Sequence, residues 1–187
     1  NLVTFTTSEK GNYSYVQDIS NPHLVFIQPR AGTRFIPSDT TIGTWDPVTR
    51  TYTLTTDVSE TIQIDEDFLT LDGAGHKIIG SGTGSGVYLY KRTGVTIMNL
   101  NVQQFSSGIN LYDSHDNILT GNTANSNNYC GIVLDGTLYE YSSTNNLTGN
   151  TANSNNWYGI FLTRWSSTNN LTGNTANSNG HAGIELD

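Results

Sequence analysis

The chain has 187 residues, of which 35% are hydrophobic and only 13% charged, so its polarity comes from Asn, Thr, Ser and 19 Gly rather than from Lys and Glu. The length suits one domain, and 10 Tyr, 6 Phe and 3 Trp exclude the aromatic-poor composition of a disordered chain. The net charge of -8 excludes nucleic acid as an expected partner, because it would repel a phosphate backbone.

Residues 1–50 contain all four prolines and lack the repeat that follows them. The end of a β-solenoid exposes unpaired backbone groups, and a non-repeating cap is the usual way to cover them. We therefore expect residues 1–50 to be an N-terminal cap or an extension toward another subunit, and residues 51–187 to form about six to seven coils. The sequence has no apolar run long enough to cross a bilayer, and we expect any export signal to have been removed.

A Gly-aliphatic-x-Leu motif recurs in the second half of the chain. It begins at Gly86, Gly108, Gly131, Gly159 and Gly183, at intervals of 22, 23, 28 and 24 residues. A period of this length, with short alternating strands and without helical periodicity, is typical of a β-solenoid. Two residues of each motif share a face and are predicted to point into the core: Val87 and Leu89, Ile109 and Leu111, Ile132 and Leu134, Ile160 and Leu162, Ile184 and Leu186.

A second landmark is an Asn that lies nine residues before the next motif Gly, at Asn99, Asn122, Asn150 and Asn174. Strands of successive coils lie about 4.8 Å apart, so identical side chains stack. We predict that equivalent Asn amides bond to one another in two ladders. One ladder is Asn122, Asn150 and Asn174, the other is Asn117, Asn145 and Asn169, and two inward walls are Leu119, Leu147, Leu171 and Ala124, Ala152, Ala176.

The runs "NNLTGNTANSNNWYGIFL" (145–162) and "LTLDGAGHKIIG" (69–80) carry a family resemblance. They resemble the right-handed parallel β-helix repeat of the NosD-type and pectate-lyase-like superfamily, as found in archaeal cell-surface proteins. The resemblance implies an all-β, single-stranded parallel β-helix and an extracellular or cell-surface location. The motifs are specific for the fold, and they do not identify one function.

Outward positions of the motif strands and the loops beside them carry aromatic residues. These are predicted to contact a partner protein or a sugar: Tyr88, Tyr90, Tyr112, Tyr139, Tyr141, Phe161 and Trp165. The alternative is ordinary stacking between neighbouring strands of the solenoid.

Catalytic and metal-binding residues are sparse on the same face. The resemblance implies that enzymes of this superfamily carry acidic clusters on this face. The residues here that could form such a cluster are Asp113, His115, Asp116, Asp135 and Arg164. Of these, Asp113, Asp135 and Arg164 are the catalytic candidates. They are not concentrated on neighbouring coils, so we expect no enzyme; the alternative is a polysaccharide lyase or glycoside hydrolase. His23, His76, His115 and His181 are scattered, and Asp65–Asp67 lacks the Gly and Glu of an EF-hand, so no metal or cofactor is predicted.

The two remaining features concern surface chemistry and assembly. Asn12, Asn146 and Asn170 stand in glycosylation sequons, and Cys130 is expected to be a small residue that fills space in the core.

Ile184 and Leu186 would be uncovered unless the solenoid continues or another copy covers them, and head-to-tail contacts of that kind build filaments. We therefore expect a non-enzymatic structural protein that associates with itself; the alternative is a carbohydrate-binding or polysaccharide-degrading β-helix.

Overall fold

The computed structural model describes residues 13–17, 25–29, 32–138, 141–163 and 165–187. Contacts divide the chain into two units, Asn1–Gly32 and Thr33–Asp187. In the first unit, β1 (Tyr13–Gln17) and β2 (Val25–Pro29) form an antiparallel pair. The second unit is a β-solenoid, and across the described ranges we find no helix with the length and apolar character of a membrane span.

Three sheets run along the second unit, two of seven strands and one of three strands. Sheet 1 holds the motif strands: β3 (Thr33–Ile36), β6 (Thr61–Ile64), β9 (Ser85–Tyr90), β12 (Ser107–Tyr112), β15 (Cys130–Asp135), β17 (Tyr158–Leu162) and β19 (Ala182–Leu186). Sheet 2 comprises β4 (Gly43–Asp46), β5 (Thr51–Leu54), β7 (Thr70–Asp72), β10 (Thr96–Met98), β13 (Ile118–Thr120), β16 (Asn146–Thr148) and β18 (Asn170–Thr172). Sheet 3 comprises β8 (Lys77–Ile79), β11 (Asn101–Gln103) and β14 (Thr123–Ala124).

The register of the strands confirms the predicted parallel β-helix. Motif strands pair in parallel with equivalent residues opposite one another, as in Ile109 with Ile132 and Ile132 with Ile160. The antiparallel pair within the solenoid strands is β4 with β5, at the N-terminal end of sheet 2. Successive copies of the motif therefore lie directly above one another.

The solenoid begins earlier in the chain than the division after residue 50 that the sequence suggested. Strand β3 pairs in parallel with β6, and Ile36 already occupies a fully buried core position. The boundary between the two contact units follows Gly32. Strand β3 lacks the repeat motif, so the periodicity of the sequence does not predict it. The capping role of the N-terminal residues stays a prediction.

The core is a narrow column of aliphatic side chains. Leu119 and Leu147 are fully buried and stand in register with Leu171, which is partly buried at the last coil. Ala124 and Ala152 are fully buried on the third side. The predicted inward walls are thus confirmed, and the burial of each Leu contributes about 1.5–3 kcal/mol.

The Gly of the motif is required by close approach between coils. A Cβ added at Gly131 would lie 2.7 Å from the carbonyl oxygen of Gly159 and 2.8 Å from the Cβ of Ala152. Both distances are well below van der Waals contact. The motif therefore opens with Gly because neighbouring coils leave no space for a side chain at this corner.

Both predicted Asn ladders are present, and a third accompanies them. Asn122 Nδ2 donates to Asn150 Oδ1 at 2.9 Å, and Asn117 Nδ2 donates to Asn145 Oδ1 at 3.0 Å. The third ladder, which the sequence reading missed, is Asn127, Asn155 and Asn179, with Nδ2 to Oδ1 distances of 3.0 and 3.1 Å. From Asn117 onward, each of the three successive coils therefore holds three stacked amides at its corners.

Asn99 does not belong to the ladder of Asn122. The backbone N–H of Leu100 donates to Asn122 Oδ1, so Leu100 occupies the ladder position in that coil. Asn99 adopts a positive φ of 56° and its Nδ2 donates to Asp72 Oδ1 at the surface. The alignment on Asn99 was therefore wrong by one residue, because the following segment of that coil is one residue shorter.

Candidate functional site

The outward side of sheet 1 carries a cluster of three tyrosines, Tyr88, Tyr90 and Tyr112, which we call the tyrosine cluster. The ring centroids of Tyr88 and Tyr90 lie 6.4 Å apart, and those of Tyr90 and Tyr112 lie 5.8 Å apart. Tyr90 is 44% exposed, and the other two rings are half-buried. Partial burial, followed by the charges of Asp113 and Asp135, raises the pKa of Tyr112.

Phe161, predicted to lie on the same exposed face, is buried. It is 9% exposed and packs with Cys130 and Val133 in a small second cluster. The ring of Tyr158 stacks on Phe161 at 4.5 Å, and Tyr129 meets it edge-on at 6.2 Å. The prediction of an exposed Phe161 is therefore wrong, because aromatic side chains from the preceding corner cover it.

Cys130 is buried as predicted. Desolvation raises the pKa of its thiol to about 12. The side chain fills space under the covering aromatic rings and has little thiolate character.

A ladder of aromatic residues, not predicted from the sequence, lies just before the motif strands. Tyr129, Trp157 and His181 follow one another on successive coils, with backbone N–H to carbonyl bonds of 3.1 and 2.8 Å. The Tyr129 and Trp157 centroids lie 6.1 Å apart, and His181 stacks on Trp157 at 5.9 Å. All three stand two residues before a motif Gly, which is the signal that could have revealed them.

The variable loops place Tyr141 beside Trp165, with ring centroids 6.2 Å apart. Both rings are exposed, as predicted. Tyr139 and Arg164 lie outside the described residues.

A cleft opens at the end of the motif strands, between the loops that follow β9, β12 and β15. It has a volume of about 290 Å³ and is lined by Lys91, Asp113, His115, Tyr141 and Ser143. Two of the predicted candidates, Asp113 and His115, meet there. His115 is held by Asp116, whose Oδ2 lies 2.8 Å from its Nδ1.

The two catalytic candidates Asp113 and Asp135 lie on adjacent coils in different environments. The backbone N–H of Asp113 donates to the Asp135 carbonyl at 2.8 Å. Asp135 Oδ1 accepts a hydrogen bond from Thr163 at 2.7 Å. Asp113 is only 5% exposed, and its Oδ1 has no hydrogen-bond partner.

The acidic run Asp65–Asp67 serves the structure of its turn. Glu66 pairs with Arg50 at 3.0 Å, and Asp67 accepts from the backbone N–H of Thr93 at 3.0 Å. Of the residues whose placement is known, no three His, Cys, Asp or Glu side chains are grouped to hold a metal ion. His23 lies outside that set.

The predicted glycosylation positions Asn146 and Asn170 lie on the outward side of sheet 2. Asn170 Nδ2 donates to Asn146 Oδ1 at 3.2 Å, so the two side chains are direct neighbours. Asn12 lies outside the described residues.

The coil formed by residues 166–187 exposes the predicted self-assembly residues. Ile184 is 45% and Leu186 71% exposed, and both line an open hollow together with Leu162 and Leu171. The equivalent Ile160 one coil earlier is fully buried. This surface, which we call the coil face, is where a further coil would fit.

Comparison with known proteins gives one family and no individual relative. A family model described as right handed beta helix region matches residues 61–187. No curated protein and no solved structure matches the chain.

Proposed function

Because the chain belongs to the right-handed β-helix family, we propose that it is a non-enzymatic structural protein of the extracellular surface whose copies join end to end, as a component of a filament, sheath or surface layer. The observation that carries the proposal is the self-complementary design of the coils. Aliphatic, amide and aromatic side chains each stack on equivalents in the next coil. An Asn- and Thr-rich composition with two adjacent sequons supports the extracellular location.

The apolar part of the coil face supports contact with another copy. Ile160 and Leu162 are buried beneath β19, where they lie next to Ile184 and Leu186. Ile184 and Leu186 expose the same two types of side chain on the coil face. Covering them with a matching aliphatic surface would remove apolar area from water at about 25 cal/mol per Å².

The polar part of the coil face gives the contact a direction. Within the solenoid, each ladder Asn donates its backbone N–H and one Nδ2–H to the Oδ1 of the next coil, as Asn150 does to Asn174 at 2.9 and 3.0 Å. The last members of the three ladders, Asn169, Asn174 and Asn179, therefore aim donors away from the solenoid. Two such faces would place donor against donor, so the geometry supports head-to-tail contact, which propagates into filaments.

Electron microscopy and sedimentation velocity over a range of concentrations test the proposal. We expect polymers that grow with concentration and disappear in the double variant Ile184→Asn/Leu186→Asn. Val48→Asn is the matched control, because Val48 is an exposed aliphatic residue outside the coil face and its replacement should leave assembly unchanged. A strictly monomeric wild type, or a double variant that still polymerises, would contradict the proposal.

A second proposal, carbohydrate binding or cleavage, draws support from the exposed rings of Tyr90, Tyr141 and Trp165. Mutual stacking of rings counts against it, because a ring face that covers a neighbour is not available to a sugar. Incubation with acidic and neutral polysaccharides, followed by assays for reducing ends and unsaturated products, separates the two. Turnover that is lost in Asp135→Ala would establish the enzyme and exclude the purely structural role.

A further inference from the structure

The sequence contains a single Asn-Gly step, at Asn179 and Gly180. Asn is a thermolabile residue, because the backbone nitrogen of the following residue can attack its side-chain amide. Glycine at the following position leaves that nitrogen unhindered, since it carries no Cβ. The equivalent residues of the third ladder in the two preceding coils, Asn127 and Asn155, are each followed by another Asn. The step most prone to this reaction therefore falls in the coil of residues 166–187.

The groups that would react are held by the preceding coil. The backbone N–H of Gly180, which carries the attacking nitrogen, donates to the carbonyl of Asn155 at 2.9 Å. Asn179 Oδ1 accepts from the backbone N–H and the Nδ2 of Asn155 at 2.9 and 3.1 Å. Asn179 Nδ2, which would have to leave, donates to the carbonyl of Ala152 at 3.0 Å. The attacking and the leaving nitrogen are both tied, so the reaction requires this coil to lift from its neighbour.

The coil of residues 166–187 can lift more readily than the coils before it. Among the described residues it packs against one neighbouring coil, and its Leu171 is only partly buried where Leu147 is fully buried. Segments with few buried apolar contacts open locally at a low free energy. In a stack stabilised by contacts between neighbours, such an opening leaves the other coils in place.

We propose that Asn179 is a deamidation site that reacts only when this coil lifts, and that the product weakens its return. In the lifted coil the Gly180 nitrogen loses its proton and attacks Asn179 Cγ. The new C–N bond closes a succinimide ring, while Nδ2 takes up a proton and leaves as ammonia. Water then opens the ring at either carbonyl and gives aspartate or isoaspartate, so the reaction needs no oxidant or reductant.

The product does not suit the ladder position. An ionised aspartate has no N–H to donate, so its oxygen would face the carbonyl of Ala152, which is also an acceptor. Burying two acceptors against each other is costly. Isoaspartate in addition lengthens the backbone just before β19. The reaction is irreversible, so the modified chain records that its coil has opened, and this holds for a single chain whether or not copies assemble.

Incubation of the full chain at mildly alkaline pH, in native buffer and in urea, tests the site. Peptide mapping by mass spectrometry locates the deamidated residue, and enzymatic methylation detects isoaspartate. We expect Asn179 to react before every other Asn, and at least about tenfold more slowly in the native protein than in urea. Equal rates in the two conditions, or an earlier reaction at Asn155, would overturn the assignment.

Two variants of β18 test the dependence on lifting. Leu171→Ala removes apolar contact that holds the coil and should speed the native reaction of Asn179 about threefold or more. Thr172→Ala, at an exposed position of the same strand, should leave the rate unchanged. In urea all three chains should react alike, because no coil is docked. A native rate that Leu171→Ala does not change, or that Thr172→Ala raises equally, would contradict the proposal.

The effect of the product is tested with Asn179→Asp. Its matched control is Asn177→Asp, which makes the same change at an exposed position of the same coil. We expect backbone amides of β19 to exchange with deuterium faster in Asn179→Asp than in Asn177→Asp, as hydrogen exchange with mass spectrometry would show. Equal exchange in the two variants would refute the weakened return of the coil.

Discussion

The Asn ladders show how single residues hold one coil on the next. Asn150 Oδ1 accepts from the backbone N–H and the Nδ2 of Asn122 at 3.1 and 2.9 Å, and its own Nδ2 donates to the carbonyl of Leu119 at 2.8 Å. The same corner positions in the coil before that of Asn122 are the apolar Val95, Leu100 and Phe105. The chain thus places amides at these corners where each amide bonds to an equivalent Asn of a neighbouring coil.

Replacement of Asn150 by Ala should destabilise the fold strongly. Three buried groups lose a partner at about 1–3 kcal/mol each, so we expect a loss of about 3 kcal/mol or more. Urea unfolding followed by circular dichroism measures it. Asn146→Ala, four residues away on the outward side of sheet 2, is the control, with an expected change within about 0.5 kcal/mol. Equal effects of the two substitutions would show that the ladder adds nothing.

The sequence predicts the stacked residues well where copies are nearly identical and poorly where they diverge. Asn117, Asn122 and Asn127 follow one another at intervals of five, and so do Val95, Leu100 and Phe105. That interval marks the three corners of a coil, and it would have given the third ladder and excluded Asn99. Burial of Phe161 could not be predicted in this way, because it depends on rings from a different position of the coil, Tyr129 and Tyr158.

At the scale of elements, the strands of sheet 2 are short and gain their stability from the equivalent strands of the coils above and below them. Strand β16 has three residues, and its Leu147 is fully buried between Leu119 and Leu171. Strand β18 has the same sequence, Asn-Leu-Thr, but its Leu171 is covered on one side and only partly buried. Strands of identical sequence therefore differ in burial by position alone.

Leu147→Ala and Leu171→Ala compare the two strands directly. We expect Leu147→Ala to cost about 2–5 kcal/mol through lost burial and the cavity that remains, and Leu171→Ala to cost clearly less. Denaturant unfolding at low protein concentration measures both costs. Equal costs would mean that the coil of residues 166–187 is as well covered as the interior.

At the scale of the whole molecule, the solenoid is a one-dimensional stack in which each coil contacts its neighbours. Cys130 lies in β15, with further motif strands on both sides. It is the only cysteine of the chain, so its rate of alkylation measures how often the middle coils of the solenoid open.

Alkylation of Cys130 by iodoacetamide at pH 8 should be at least about a thousandfold slower in the native protein than in urea, because only the thiolate reacts and burial holds the pKa at about 12. The raised pKa also implies that native stability is fully present below the unfolded thiol pKa of about 8.5 and falls as the pH rises toward 12. Mass spectrometry of timed samples gives the rate. Similar rates in both states would show that the middle coils open readily.

The one-way arrangement of the amide ladders has a mechanical consequence. A solenoid held at its other end and pulled at residue 187 would lose its outermost coil first, because the ladder bonds of Asn179, Asn174 and Asn169 open one corner after another along the chain. The bonds between interior coils would stay closed until the load reaches them, so the force needed to unwind the chain would rise and fall once per corner.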